Sequence, residues 1–257
     1  MVRRRLSIRA MSGADTAAVR AHYDEVLSPH YSRLFGDFEA KVAEQRALLE
    51  RLGVADGAGA PAVDFGCGSG FQSLALARLG FRVRAVDLSP RLLAELTGRA
   101  AGMPVETVAG DLRDAAALVP PGAALVVCMG DTLSHLPREA DLDDVFTGVA
   151  GRLASGGRLI LTFRDLSNEA RDLDRFIPVC ALDDLVVTCF LEYEPRTVKV
   201  HDLVWTRQSG RWRFQRSMYR KLRLARSAVG TRLERAGFRV ASDDAPGGLA
   251  VLVGTRV

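Results

Sequence analysis

The chain has 257 residues, 48% hydrophobic and 26% charged, with a formal net charge of +4. That is the balance of a globular protein long enough to bury a full core without disulfides or metal; it excludes disordered, collagenous and membrane-bundle chains. The longest apolar stretch, Ala123 to Met129, is too short to span a bilayer, and none of Cys67, Cys128, Cys180 and Cys189 forms a C-x-x-C pair.

Taken in chain order, Arg3, Arg4 and Arg5 are followed by no apolar run, so no secretory signal is read and the cytoplasm is the expected compartment. Residues 12–53 read as helical, broken at Ser28-Pro29 because the residue before proline avoids the helical region. A helix is expected from about Asp37 to Leu52, with acids at its start and Gly53 at its end. Residues 1–58 are the expected N-terminal helical lid, and 59–257 the main domain. From 61 to 163, short apolar runs alternate with helical patterns. The predicted strands are Ala62–Phe65, Arg82–Val86, Val105–Ala109, Leu125–Met129 and Arg158–Phe163. Ser89-Pro90 is a helix start, an N-cap followed by proline at the first helical position. Strands alternating with helices imply βαβ units and a mostly parallel sheet with helices on both faces, an α/β fold.

Residues 176–224 change character. Leu185–Glu194, Thr197–Arg207 and Arg211–Leu224 alternate with period 2, and are read as an antiparallel insertion added to the parallel sheet. A helix from Ser227 to Ala236 and a strand near Leu249–Val253 complete the chain. Residues 203–233 hold nine basic residues and no acid. Such a stretch is either a solvated face or a surface for an acidic partner.

The segment Val63-Asp64-Phe65-Gly66-Cys67-Gly68-Ser69-Gly70-Phe71 carries the most chemistry. It leaves a strand and opens a helix, where glycines let the backbone turn sharply and the helix offers free N–H groups. A dinucleotide fingerprint needs a third glycine where Phe71 stands, which argues against a nicotinamide oxidoreductase. The spacing is D-x-G-x-G-x-G, and a carboxylate beside the loop suits a ligand bearing an ammonium group.

With these residues the chain resembles the class I S-adenosylmethionine-dependent methyltransferases. The likeness continues through Val86-Asp87-Leu88-Ser89, Gly110-Asp111-Leu112, Val126 to Asp131, the Gly156-Gly157 turn and Glu234 to Phe238. It implies a Rossmann-like, mostly parallel seven-stranded sheet, and S-adenosyl-L-methionine as cofactor with S-adenosyl-L-homocysteine as product. It implies a cofactor site built from Asp64, Gly66, Cys67, Gly68, Gly70, Asp87, Leu88, Asp111, Leu112 and Met129, with Asp87 on the ribose hydroxyls and Asp111 near the adenine amine. Tyr23 and Tyr31 of the lid are the candidates for the cofactor's carboxylate end. In this family the protein chiefly positions the reacting groups, and no metal is required.

The segment after the fourth strand, Cys128 to Leu136, lacks the Pro-Pro-Tyr of base-amine methyltransferases and resembles small-molecule enzymes, including glycine- and sarcosine-type N-methyltransferases. The acceptor is therefore expected to be a small molecule methylated on N, O or C, with nucleic acid and membrane not expected as partners. His135 is the candidate general base and Asp131 its orienting group or an amine contact. Arg164, Trp212, His30 and His201 are the candidate acceptor contacts. The antiparallel insertion is the candidate homodimer surface. The alternatives are an RNA or protein methyltransferase docking through 203–233, and a non-catalytic cofactor-binding subunit.

Overall fold

A computed structural model describes residues 30–257; the first expected helix and Tyr23 lie outside the described residues. Strands β1 (Pro61–Phe65), β2 (Arg82–Asp87), β3 (Val105–Ala109), β4 (Ala123–Cys128) and β5 (Leu153–Arg164) are joined in register as parallel neighbours. With β10 (Phe238–Ala245) and β11 (Leu249–Arg256) they form one seven-stranded sheet in the order β3-β2-β1-β4-β5-β11-β10. β11 runs antiparallel to both its neighbours. This is the mostly parallel α/β sheet expected from the sequence.

Among the described residues six α-helices accompany the strands: α1 (Phe38–Arg51), α2 (Phe71–Arg78), α3 (Pro90–Arg99), α4 (Ala115–Leu118), α5 (Ala140–Ala150) and α6 (Arg226–Arg235). The local signals act as expected. The Asp37 carboxylate caps α1 at the N–H of Ala40, and Ser89 caps α3 ahead of Pro90. Because successive side chains of a strand point to opposite faces, each central strand feeds two cores. Ala62, Val83, Ala85, Leu125, Val127 and Ile160 pack under α1, α2 and α3. Val63, Phe65, Val126, Cys128, Leu159, Leu161 and Phe163 pack under α5 and α6. Phe65, Phe146 and Phe163 are fully buried, each contributing roughly 1.5–3 kcal/mol of apolar transfer.

The insertion is a separate antiparallel sheet in the order β6-β7-β8-β9, formed by Phe176–Ala181, Leu185–Tyr193, Thr197–Gln208 and Arg211–Leu222. The sequence reading omitted β6 and β10. β6 carries Pro178, which cannot donate to a ladder, and the register shifts between Pro178 and Cys180. β10 is a largely exposed edge strand whose Ser242-Asp243-Asp244 hides the strand pattern. One face of the second sheet, from Leu185, Val187 and Leu191 through Val198, Val200 and Val204 to Tyr219, is buried. The opposite face is open.

No helix among the described residues is long and apolar enough to cross a membrane.

Candidate active site

The order of the parallel strands reverses between β1 and β4, and in open α/β sheets that switch point is where a crevice opens beyond the strand ends. A cavity of about 380 Å³ lies there. Its floor is the loop after β1. Gly66 and Gly70 both have positive φ, and a Cβ at either would sit 2.2 Å from a side chain, Thr132 or Leu96. Only glycine fits the turn and leaves the loop open above it. Asp87 at the end of β2 accepts the Gly68 N–H at 2.9 Å and the Ser89 N–H at 2.8 Å, so the second strand holds the loop in shape.

Gly66, Cys67, Gly68, Asp87, Leu88, Asp111, Leu112, Met129 and Tyr31 all line this cavity. Gly70 is the N-cap of α2, at the foot of the loop. Tyr31 packs edge-on to Phe35, which meets Phe71 at the start of α2. Burial, then the charge of Asp87, pushes the Tyr31 hydroxyl up, so it stays protonated. Asp111 caps its own turn at the N–H of Arg113 and pairs with that guanidinium at 2.6 Å.

Asp64 departs from its expected position. It lies beneath the loop, 1% exposed, accepting the Ser73 hydroxyl at 2.6 Å, and is not part of the cavity wall. It shares its face of β1 with Ala62, and Ser73 of α2 packs against it there. Burial, with Asp87 adding repulsion, pushes its carboxyl up to about 7.

Beyond Met129 the cavity continues under the second sheet. Asp131 occupies the left-handed region at φ 77, unusual for a residue with a Cβ. Its carboxylate is saturated by fixed donors: the Arg164 N–H at 3.0 Å, the Ser134 hydroxyl at 3.1 Å and the Lys221 ammonium at 2.6 Å. Burial opposes its ionisation, but Lys221 and these donors outweigh it and hold the carboxyl below the ordinary range. His135 closes the short helical turn Thr132–His135 and stacks on Tyr219 of β9, ring centroids 5.3 Å apart. Arg164, Val187, Cys189, Asp202, Tyr219 and Lys221 complete this half, with the Cys189 thiol 2.6 Å from the Asp202 carboxylate.

Three expected acceptor contacts are not part of this wall. Trp212 is 48% exposed on the open face of the second sheet; period-2 alternation puts Tyr219 and Lys221 of the same strand on the cavity face and Trp212 on the other. His201 lies on that open face too, its Nε2 3.0 Å from Glu192 and its ring beside Phe190. His30 precedes Tyr31 but does not line the cavity. The sequence reading missed Lys221, Tyr219, Asp202 and Cys189. A usable signal existed: Asp202 is the one acid among the alternating apolar residues Val198, Val200 and Val204.

Residues 62–157 match the model of a methyltransferase domain. A ubiquinone biosynthesis O-methyltransferase from Xanthomonas euvesicatoria pv. vesicatoria is 37% identical over 107 residues, 41% of this chain and 43% of that protein. The chain thus matches less than half the length of this curated relative. Two solved structures match nearly throughout. A SAM-bound amino pentose methyltransferase from Micromonospora echinaspora has a TM-score of 0.73 at 20% identity, covering 90% of this chain and 96% of that one. A sugar N-methyltransferase from a Streptoalloteichus species has a TM-score of 0.71 at 17% identity, covering 98% and 99%. At these identities the likeness is one of fold.

Proposed function

We propose that this chain, whose residues 62–157 match a methyltransferase-domain model, is an S-adenosylmethionine-dependent enzyme of the class I type that methylates a small molecule. The observation that carries this reading is the continuity of the cavity. One half is a glycine cradle with Asp87 and Asp111, and the other is a polar chamber under a second sheet. When bound, the cofactor would supply a methyl group on a sulfonium, for an acceptor atom to bond in line as the methyl–sulfur bond breaks and S-adenosylhomocysteine leaves.

The chain's own residues divide the remaining work. The Gly66–Gly70 loop and the ends of β2 and β3 hold the cofactor, with the Asp87 carboxylate for two neighbouring hydroxyls. Tyr31, Phe35 and Phe71 cover the loop and keep water out. Thr162 fixes the Gly130 N–H at 2.8 Å, which sets the turn facing the acceptor. His135, held by its stack on Tyr219, is the group that takes a proton from an acceptor that must lose one. Asp131 is ionised and fully engaged, so it shapes the site and does not accept that proton. Arg164 is the candidate contact for a negatively charged acceptor group. The cytoplasm is the compartment we assign. The open face bearing Trp212, Phe214 and Met218 is where we place a homodimer contact, to be checked by sedimentation.

The test is calorimetric titration with S-adenosylhomocysteine, with NADH in parallel. Binding of the first, weakened tenfold or more in Asp87→Ala, is the expected result. Binding of NADH alone, or of neither, would sink the proposal.

A further inference from the structure

The cavity face of the second sheet does not stop at the acceptor chamber. Along β9 the alternate residues Lys221, Tyr219, Ser217, Gln215, Arg213 and Arg211 share one face, opposite Val198, Val200, Asp202, Val204, Thr206 and Gln208 of β8. The first two of the β9 series line the chamber. Farther out, Thr206, Gln208, Arg213 and Gln215 of that face, with Phe214 from the other face of β9, line a second concavity. It offers the Arg213 guanidinium beside neutral donors, and Arg211, opposite Gln208, is the next residue of that face toward the hairpin tip. Arg211 and Arg213 are exposed, and neither has an ion-pair partner among the described residues. Their neighbours farther along are satisfied, Arg220 by Glu194 and Arg223 by Glu169. No acid occurs anywhere in 203–233 to neutralise the outer pair.

Two unneutralised arginines on the same strand face as the reacting chamber make an oxyanion site in line with it. The guanidinium fork matches a phosphate or carboxylate two bonds at a time. Six residues of strand separate Tyr219 from Arg213, about 20 Å at ~3.4 Å per residue. Building on the methyltransferase reading, we infer that the acceptor is elongated: its reacting end lies against His135 and Tyr219, and its far end carries a phosphate or carboxylate held by Arg213 and Arg211. A two-point grip of this kind sets the reacting atom's position from a distance, with binding energy gathered away from the chemistry. It also explains why the hairpin of β8 and β9 extends beyond the chamber it roofs.

The experiment uses the full chain saturated with S-adenosylhomocysteine, whose binding reports separately on the methyltransferase reading. Inorganic pyrophosphate and citrate are titrated in, and thermal stabilisation is followed at fixed ionic strength. Wild type and Arg239→Ala, a charge control on β10, should be stabilised at the same anion concentration. Arg213→Ala and the Arg211→Ala/Arg213→Ala double variant should need at least tenfold more, with their response to S-adenosylhomocysteine unchanged. Stabilisation by pyrophosphate over citrate identifies a phosphate tail, and the reverse a carboxylate. Equal midpoints in all four proteins, or no stabilisation of wild type by either anion, would overturn the inference. Loss of S-adenosylhomocysteine binding in wild type would instead overturn the reading beneath it.

Discussion

The two halves of the cavity are built by different means. The cofactor half is backbone: glycines at positive φ, strand ends and helix starts, tied by Asp87 to two N–H groups. Apart from Tyr31 and Phe35, which cover the loop, it comes from the stretch between β1 and Met129. The acceptor half is side chain: Lys221, Tyr219, Asp202 and Cys189 reach the chamber from a sheet inserted 50 or more residues later and meet His135 and Asp131 there. The first half needs a shape that few residues can adopt, so it writes itself into a short motif. The second needs only compatible chemistry on the right strand parity, so it leaves almost no local signature.

Breaking the acceptor half should cost most. Lys221→Met strands a buried carboxylate, and a loss of about 3–5 kcal/mol in urea denaturation is expected. Adding Asp131→Asn should recover much of it, because the orphaned charge is gone. If Lys221→Met costs no more than a surface change, the pair does not join the sheets as described. In the cofactor half, Gly66→Ala forces a side chain into the left-handed region and against Thr132. A loss of about 2–4 kcal/mol is expected, with weakened S-adenosylhomocysteine binding by calorimetry. Undiminished affinity would show that the loop tolerates a Cβ.

The effect smallest per pH unit concerns Asp64, and appears as a slope. Its carboxyl titrates near 3.8 when unfolded and at about 7 when folded, so between those values the folded chain keeps a proton that the unfolded chain has lost. Stability should therefore fall as pH rises from about 4 to 7, and level off above. Asp64→Asn keeps an acceptor for Ser73 but removes the proton difference. The slope should flatten by up to about 1.4 kcal/mol per pH unit, read from denaturation midpoints across that window. An identical slope in both proteins would place the charge elsewhere.

Much of the fold was legible because its signals are local. Asp37, Ser89-Pro90 and the glycine loop each act within a turn of where they stand, and the apolar runs of β1, β2 and β4 are buried on both faces. What was lost were elements defined by what they lack: β6 lacks a donor at Pro178, and β10 lacks apolar alternation. In the site, Asp87 and His135 lie on the cavity because they follow strand ends, a place fixed by chain order. Trp212 fell on the other face because a large aromatic is as compatible with an open sheet as with a pocket. Lys221 was passed over although the chain has only three lysines, two of which line the cavity. Asp64 reads as a ligand contact from its sequence neighbours, while the Ser73 hydroxyl that engages it comes from α2 and leaves no mark in the glycine motif.

The bond between Lys221 and Asp131 joins the inserted sheet to the turn that follows β4. Exchange of the insertion between related proteins is therefore not free. A transplanted segment must bring a cation to the place facing Asp131, or be accompanied by a neutral residue there. Swapping 176–224 alone for a stretch without that cation would give a chimera that fails at the junction, however well its new chamber suited a new acceptor. Compatibility between the modules thus depends on this buried charge pair as well as on the Tyr219–His135 stack and the Arg223–Glu169 pair.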